Sequence, residues 1–504
     1  MEKNNTEEFG KWRTFFWPIH RWELKKFLPM FLMFFLISFN YNALRACKDS
    51  LVVTAPHSGA EAIPFIKIWA ILPGALLLTY LFTRLANRFS REKVFYIMMF
   101  LFIGFFMLFT FVLFPAQEYL HPNELADRLQ EMLPAGFKGF IAMFRNWTLT
   151  LFYVMSELWG TAILSVLFWG FANEVTKVGE AKRYYGLLMI GANIAGIISG
   201  QASVYLSGTH FFAFIPYGKT SWDQSILFLN CLIIFAGVLT IAIFRWLNHH
   251  VIRPTEKLSP PPEKIKMSMR KNFAYLAKSK YLICIALIVL TYNISVNLIE
   301  VVWKNQIKEV YPNPSEYNIY MGEVMTLMGI FATVAGILTA FAIRRFSWTF
   351  NAIIPAAMML TTGIGFFLFV LFPGSGLNWF AALIGSTPLM LSVSLGGFQN
   401  CLCRATKYTI FDATKEIAFI PLSSESKLKG KAAIDGVGSR LGKSGGSVIH
   451  GSLLLFFSTI AASTPYVAVI FLIIGVVWIG SVISLGKRFD SLTEPALTLG
   501  TVKE

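Results

Sequence analysis

Apolar runs of about the length that crosses a bilayer recur along the chain, each parted from the next by a short polar break. The pattern predicts helices over residues 27–52, 63–84, 93–115, 146–172, 184–207 and 225–247, and again over 281–305, 319–343, 350–372, 379–403, 433–459 and 464–486. Between the two sets the rhythm stops. Residues 248–280 are basic and interrupted by Pro260, Pro261 and Pro262. The expected fold class is an all-α integral membrane protein with twelve transmembrane helices in two six-helix bundles. In order, the chain reads as an N-terminal segment (1–26), a first bundle (27–247), a basic linker (248–280), a second bundle (281–487) and a tail (488–504). The halves share a weak likeness. Each leaves its fourth helix through an acidic then basic connection, residues 171–186 in the first and 411–433 in the second, and re-enters through small residues. Two such repeats face each other across a central cavity, with ligand sites near the midplane.

Composition supports the same reading. Of 504 residues, 55% are hydrophobic and 14% charged, against about 25% charged in a soluble domain. A soluble enzyme is excluded. The net charge of +16 does not call for nucleic acid, because the cations sit in alternate loops. Arg84, Arg88, Arg91 and Lys93, then Lys177, Lys182 and Arg183, the linker, Arg344 and Arg345, and the group from Arg404 and Lys407 to Lys431 all fall on one side. The positive-inside rule makes that side cytoplasmic, with both termini. The first apolar run lacks a cleavage site and is expected to stay as a helix. The five cysteines suggest neither a disulfide nor a metal framework, and no cofactor is expected. One outer loop is long, and its residues 121–133 read as a short amphipathic helix at the membrane surface.

Ionisable residues inside the apolar spans cost a few kcal/mol each, roughly 2.5–3.5 on insertion scales, so each needs a reason. Arg45 and Lys48 share a face near the end of the first helix, with Asp49 close by. Either Arg45 and Asp49 pair and snorkel to the interface, or the cations face a water-filled path and await an anion. Glu157 in the fourth helix has no cation within four residues. Glu300 in the seventh has Lys304 at i+4, a local pair in the favourable order. Asn293 and Asn297 precede it at helical spacing and make a polar stripe suited to a cavity wall. Lys443 begins the eleventh helix in the run DGVGSRLGKSGGS, three residues after Arg440. The run lacks the first glycine and the preceding strand of a phosphate loop, which rejects an NTPase. Its glycines suit close helix packing, and Lys443 suits a phosphate. Lys67 is the weakest candidate and is expected to reach the outer rim. Asn193 and Gln201 are expected to make packing hydrogen bonds. An excess of cations from both halves fits a polyanion, since Arg holds phosphate bidentately and Lys as a point charge.

Four stretches resemble the nucleotide transporters of plastids and obligate intracellular bacteria, the ATP/ADP translocases. They are residues 39–67, 144–160, 167–186 and the long, specific run KYTIFDATKEIAFIPLSSESKLKGKAAIDGVGSRLGKSGGS over 407–447. The resemblance implies a major-facilitator-like fold in a bacterial inner membrane, acting as a monomer, with nucleotides as substrates. It implies import of host nucleotide by ATP/ADP exchange. Broader exchange of GTP, UTP, CTP and ATP, or proton-coupled uptake, is the alternative. Functional charges of that family fall here on Lys48, Glu157, Glu300 and Lys443. Arg45 joins them on the physical argument, and Asn293, Asn297 and Arg440 are secondary candidates. Ala46-Cys47 departs from the polar pair that adenylate-specific members carry between these cations. A polytopic membrane transferase is the rival from another class. It needs a catalytic His or carboxylate cluster at an interface, and the seven histidines are scattered. A channel is disfavoured because the charges occupy non-repeated positions.

Overall fold

The computed structural model describes residues 17–252 and 279–500, apart from position 375 and parts of 424–437. Among these residues there is no strand. The long helices are α1 (Leu24–Val53), α2 (Ala62–Arg88), α3 (Arg91–Leu113), α4 (Trp147–Val175), α5 (Val178–Ser207) and α6 (Ser221–Ile252). After the linker, most of which lies outside the described residues, come α7 (Lys280–Val310), α8 (Pro314–Arg345) and α9 (Trp348–Leu371). Then follow α10 (Pro388–Thr406, continued by Lys407–Phe411 and Asp412–Phe419), α11 (Ser439–Phe457) and α12 (Ile460–Gly500). All but α10 and α11 are long and apolar enough to cross a membrane, ten helices among the described residues.

The last helix runs past 486 to Gly500, into the stretch expected as a tail, and two boundaries of the tenth span differ from expectation for a local reason. The tenth span does not start at 379. Leu377–Leu383 forms a separate short helix, and a turn with Gly385 at φ +67 precedes a fresh start at Pro388. There Thr387 caps the helix, its Oγ1 accepting from Met390 N at 3.1 Å. At its other end the same helix runs on to Phe419, so Arg404 and Lys407 are helical, not loop residues. The helix expected over 121–133 forms at Asn123–Met132. The residues after it, Ala135–Arg145, do not simply lie on the surface. They pack against the start of α2 and the end of α11.

α1 and α7 are the central helices. α1 packs on α4, α5 and α6, with Trp159 donating to Ile37 O at 3.1 Å and Asn40 to Ile233 O at 2.9 Å. α7 packs on α10, α11 and α12, with Trp303 donating to Val393 O at 2.9 Å. The first six helices meet the last six mainly along α5 and α8. There a Cβ on Gly200 would stand 2.5 Å from the carbonyl oxygen of Gly322, so the two backbones touch. Without a hydrophobic drive in lipid, such small-residue contact is what joins helices. Gln201 adds a hydrogen bond to Thr326 at 3.0 Å, the packing role expected of it. One end of the molecule is closed by contacts between the halves. Lys308 donates to Ser58 O, Ser50 to Asn318 Oδ1 at 2.9 Å, and Asn318 to Ser207 Oγ at 2.7 Å. At the other end Leu72–Arg88 of α2 buries no residue, and a cavity opens there between the halves.

Candidate functional site

The cavity holds about 230 Å³ and is walled by α1, α2, α4, α7, α10 and α11. Of the residues singled out in the sequence, Arg45, Glu157, Asn293, Asn297, Glu300 and Lys443 line it. The side chain of Arg440 lies outside the described residues. The wall also carries three cations that sequence reasoning placed elsewhere: Lys67, Arg404 and Lys407. Among the described residues the lining therefore has five cations against two carboxylates, an excess of three positive charges.

Helix geometry explains how these groups converge. Lys67 opens a π-helical turn, Lys67–Ile71, within α2. Its side chain points inward and does not reach the rim. Its Nζ donates to Asn297 Oδ1 at 2.6 Å and to Glu300 Oε2 at 3.2 Å, linking α2 to α7. A second π-helical turn, Lys407–Phe411, carries Lys407 at the edge of the same cavity. A third begins at Gly160 on α4, next to the lining residue Thr161. π-turns are rare and concentrate at functional sites. On α11, Gly442 and Gly446 let α7 approach closely, since a Cβ at either would come within 2.8 Å of the Asn293 or Asn297 side chain. Lys443 is thereby set beside the asparagine stripe and stands open to the cavity.

Glu300 is the hub of the charge network. It takes Lys67 on one oxygen, and Lys304 at 3.1 Å and Arg404 at 3.5 Å on the other. The local pair with Lys304 and the cavity face are thus both present. Arg404 is also held by Asn400 Oδ1 at 2.8 Å. Deeper, toward the closed end, lies a dry layer. Lys304 meets Asp49 at 2.8 Å, each side chain about 1% exposed, and this pair crosses between the halves. Lys48 does not line the cavity. It is buried below it, between Asp49 at 3.1 Å and Glu157 at 2.9 Å, with its ammonium 3.8 Å from the centre of the Tyr153 ring. Glu157, whose side chain is 37% exposed, joins that layer to the open space above. Among the described residues Arg45 and Lys443 have no ion-pair partner. The guanidinium of Arg45 has the Met328 sulfur at 3.7 Å. A buried arginine and a cavity lysine without counter-charge give this wall a positive charge that an anion can balance.

The comparisons with known proteins agree in kind with this arrangement. A family model described as "TLC ATP/ADP transporter" matches residues 2–489. The chain is 47% identical to "ADP,ATP carrier protein 1" of Chlamydia muridarum, over 97% of this chain and 93% of that one. It is 41% identical to "ADP,ATP carrier protein 1, chloroplastic" of Arabidopsis thaliana, over 93% of this chain and 74% of that one. Among solved structures it is similar in fold to a mutant form of the nucleoside transporter NupG, with a TM-score of 0.56 at 11% identity, covering 93% of this chain and 99% of that one. It is likewise similar to a bacterial homologue of the iron transporter ferroportin in an inward-facing state, with a TM-score of 0.54 at 15% identity, covering 94% and 99%. At such identities the likeness concerns fold alone, and it is the major-facilitator-like fold expected from the sequence.

Proposed function

The chain belongs to the TLC ATP/ADP transporter family, and on that premise we propose that it carries ATP and ADP in exchange by alternating access. The observation that supports this reading is the cavity between the halves, with its surplus of cations and with Arg45 and Lys443 free of any ion-pair partner among the described residues. A nucleotide's phosphates are the ligand such a wall requires. Glu300 holds Lys67 and Arg404, which keeps these cations from trapping a ligand too tightly. Entering phosphate competes for the same two cations and frees them from Glu300. Lys48 acts from below, through Glu157.

Exchange follows from the same electrostatics. Closing the cavity over nothing dries Arg45 and Lys443 without a counter-charge, and an unpaired buried charge costs several kcal/mol. A bound polyphosphate removes that cost, so the loaded carrier reorients and the empty one does not. The proposed setting is a bacterial inner membrane, with both termini on the cytoplasmic side by the distribution of loop cations, the chain working as a monomer and importing host ATP. On this orientation the cavity opens to the cytoplasm.

Reconstitution tests the reading. Proteoliposomes are loaded with ADP, with UTP or with nothing, and given labelled ATP outside. Exchange predicts uptake that depends on internal ADP. Stimulation by internal UTP widens the substrate range. Uptake into empty vesicles driven by an acid exterior indicates proton coupling through Glu157 or Glu300 and overturns exchange. Lys443→Gln is expected to impair uptake while leaving membrane insertion intact.

A further inference from the structure

Three tyrosines line the cavity: Tyr41, Tyr292 and Tyr408. Tyr292 is engaged in packing. It is buried, its hydroxyl donates to Cys403 O at 3.4 Å, and its ring lies against Phe411 and Trp478. Tyr41 and Tyr408 are different. Among the described residues neither ring packs on another aromatic ring, and Tyr408 is 48% exposed with the Lys407 ammonium 4.5 Å from its centre. Tyr41 lies against α4, where a Cβ on Gly160 would come within 2.7 Å of its ring.

The two are matched in position. Tyr41 stands four residues before Arg45 on α1, and Tyr408 four residues after Arg404 on α10. α1 runs toward the closed end, where Ser58 meets Lys308. α10 runs away from it, since its first turn touches Tyr311 through Met390. On both helices, therefore, the arginine is the deeper residue and the tyrosine lies one turn nearer the mouth. Each half supplies one tyrosine–arginine pair to the cavity wall. A nucleotide has the same order of parts: a polyanionic end for the arginine layer and an aromatic end for the tyrosine layer.

We propose that Tyr41 and Tyr408 form a clamp for the nucleobase, one jaw from each half, with the phosphates seated deeper on Arg45 and Arg404. This rests on the nucleotide-carrier reading above and assigns the part of the cavity that reading leaves open. Stacking tolerates any base, because every base has a π face. The clamp therefore selects for the presence of a base, not for its identity. It also lies at the mouth, where the halves are apart, so a base held by both jaws draws them together.

Binding of ATP and of inorganic tripolyphosphate to the purified full chain separates the two layers. Tyr41→Leu and Tyr408→Leu are each expected to weaken ATP about tenfold, the effect of losing one base–aromatic stack, and to leave tripolyphosphate unchanged. Tyr41→Phe and Tyr408→Phe are expected to retain ATP affinity, which places the effect in the ring and not in the hydroxyl or the fold. Equal loss of both ligands, or full ATP affinity in the leucine variants, overturns the clamp while the carrier reading stands. Wild-type protein that binds neither ligand overturns both.

Discussion

Asp49 and Lys304 form the most thoroughly buried ion pair between the two halves, and neither has water to fall back on. Removing one partner unbalances the buried layer, in which Lys48 still faces Asp49 and Glu300 still faces Lys304, and costs up to about 3–5 kcal/mol. Asp49→Asn and Lys304→Gln are each expected to lower the melting temperature of the detergent-solubilised protein. The double variant, which removes one charge of each sign and keeps the layer balanced, is expected to melt above either single one. Additive losses in this cycle would show that the pair contributes nothing as a pair. At this scale much was legible in the sequence. Arg45, Glu157, Glu300 and Lys443 announced themselves because a charge inside an apolar span has no inexpensive explanation. Arg404 and Lys407 did not, because they sit where a span meets a basic loop and look like ordinary orienting cations. Only the continuation of α10 to Phe419 turns them inward.

Elements explain what residue spacing could not. Predictions of which side chains share a face assume 3.6 residues per turn. A π-turn adds a residue and rotates everything that follows. Lys67, expected at the rim, heads one such turn and points to Asn297 and Glu300, while Ile71, Leu72 and Ala75 at and beyond its end also line the cavity. Deleting one residue within 67–71, such as Ile68, should restore the regular helix and rotate Lys67 against the rest of α2, so that Lys67 and the Leu72–Ala75 face no longer meet the cavity together. Nucleotide uptake is expected to collapse while the protein still inserts. The same deletion within the π-turn Phe109–Leu113, which lines no part of the cavity, serves as the control and is expected to keep measurable uptake. Equal loss in both would mean that the turns matter only for folding. Most spans were legible to within a few residues, because apolar length is a bilayer requirement. The start of α10 was not, because Leu377–Leu383 is apolar enough to read as its first turns, and the break at Gly385 is brief.

For the whole molecule the closed end is the testable feature. Lys308 reaches across to Ser58 there, joining the two halves beyond the ion-paired layer. A Ser58→Cys, Lys308→Cys pair joined by a reducible thiol crosslinker should lock the carrier in the conformation described. Uptake is expected to stop on crosslinking and return on reduction. Uptake that continues through the locked state would mean that this end never opens during the cycle. The fold as a whole was readable from the sequence as two sets of helices around a cavity. The surface along which the sets meet was not, because Gly200 and Gly322 lie among other small residues that look equally suited to contact.

That meeting line has a consequence for how such a carrier diversifies. At Gly200 and Gly322, α5 and α8 touch main chain to main chain, so there the axle on which the halves would swing is made of peptide groups and not of rotamers. An axle of this kind stays the same while side chains elsewhere are exchanged. The cavity walls on α1, α4, α7, α10 and α11 are then free to drift toward new cargoes without retuning the swing.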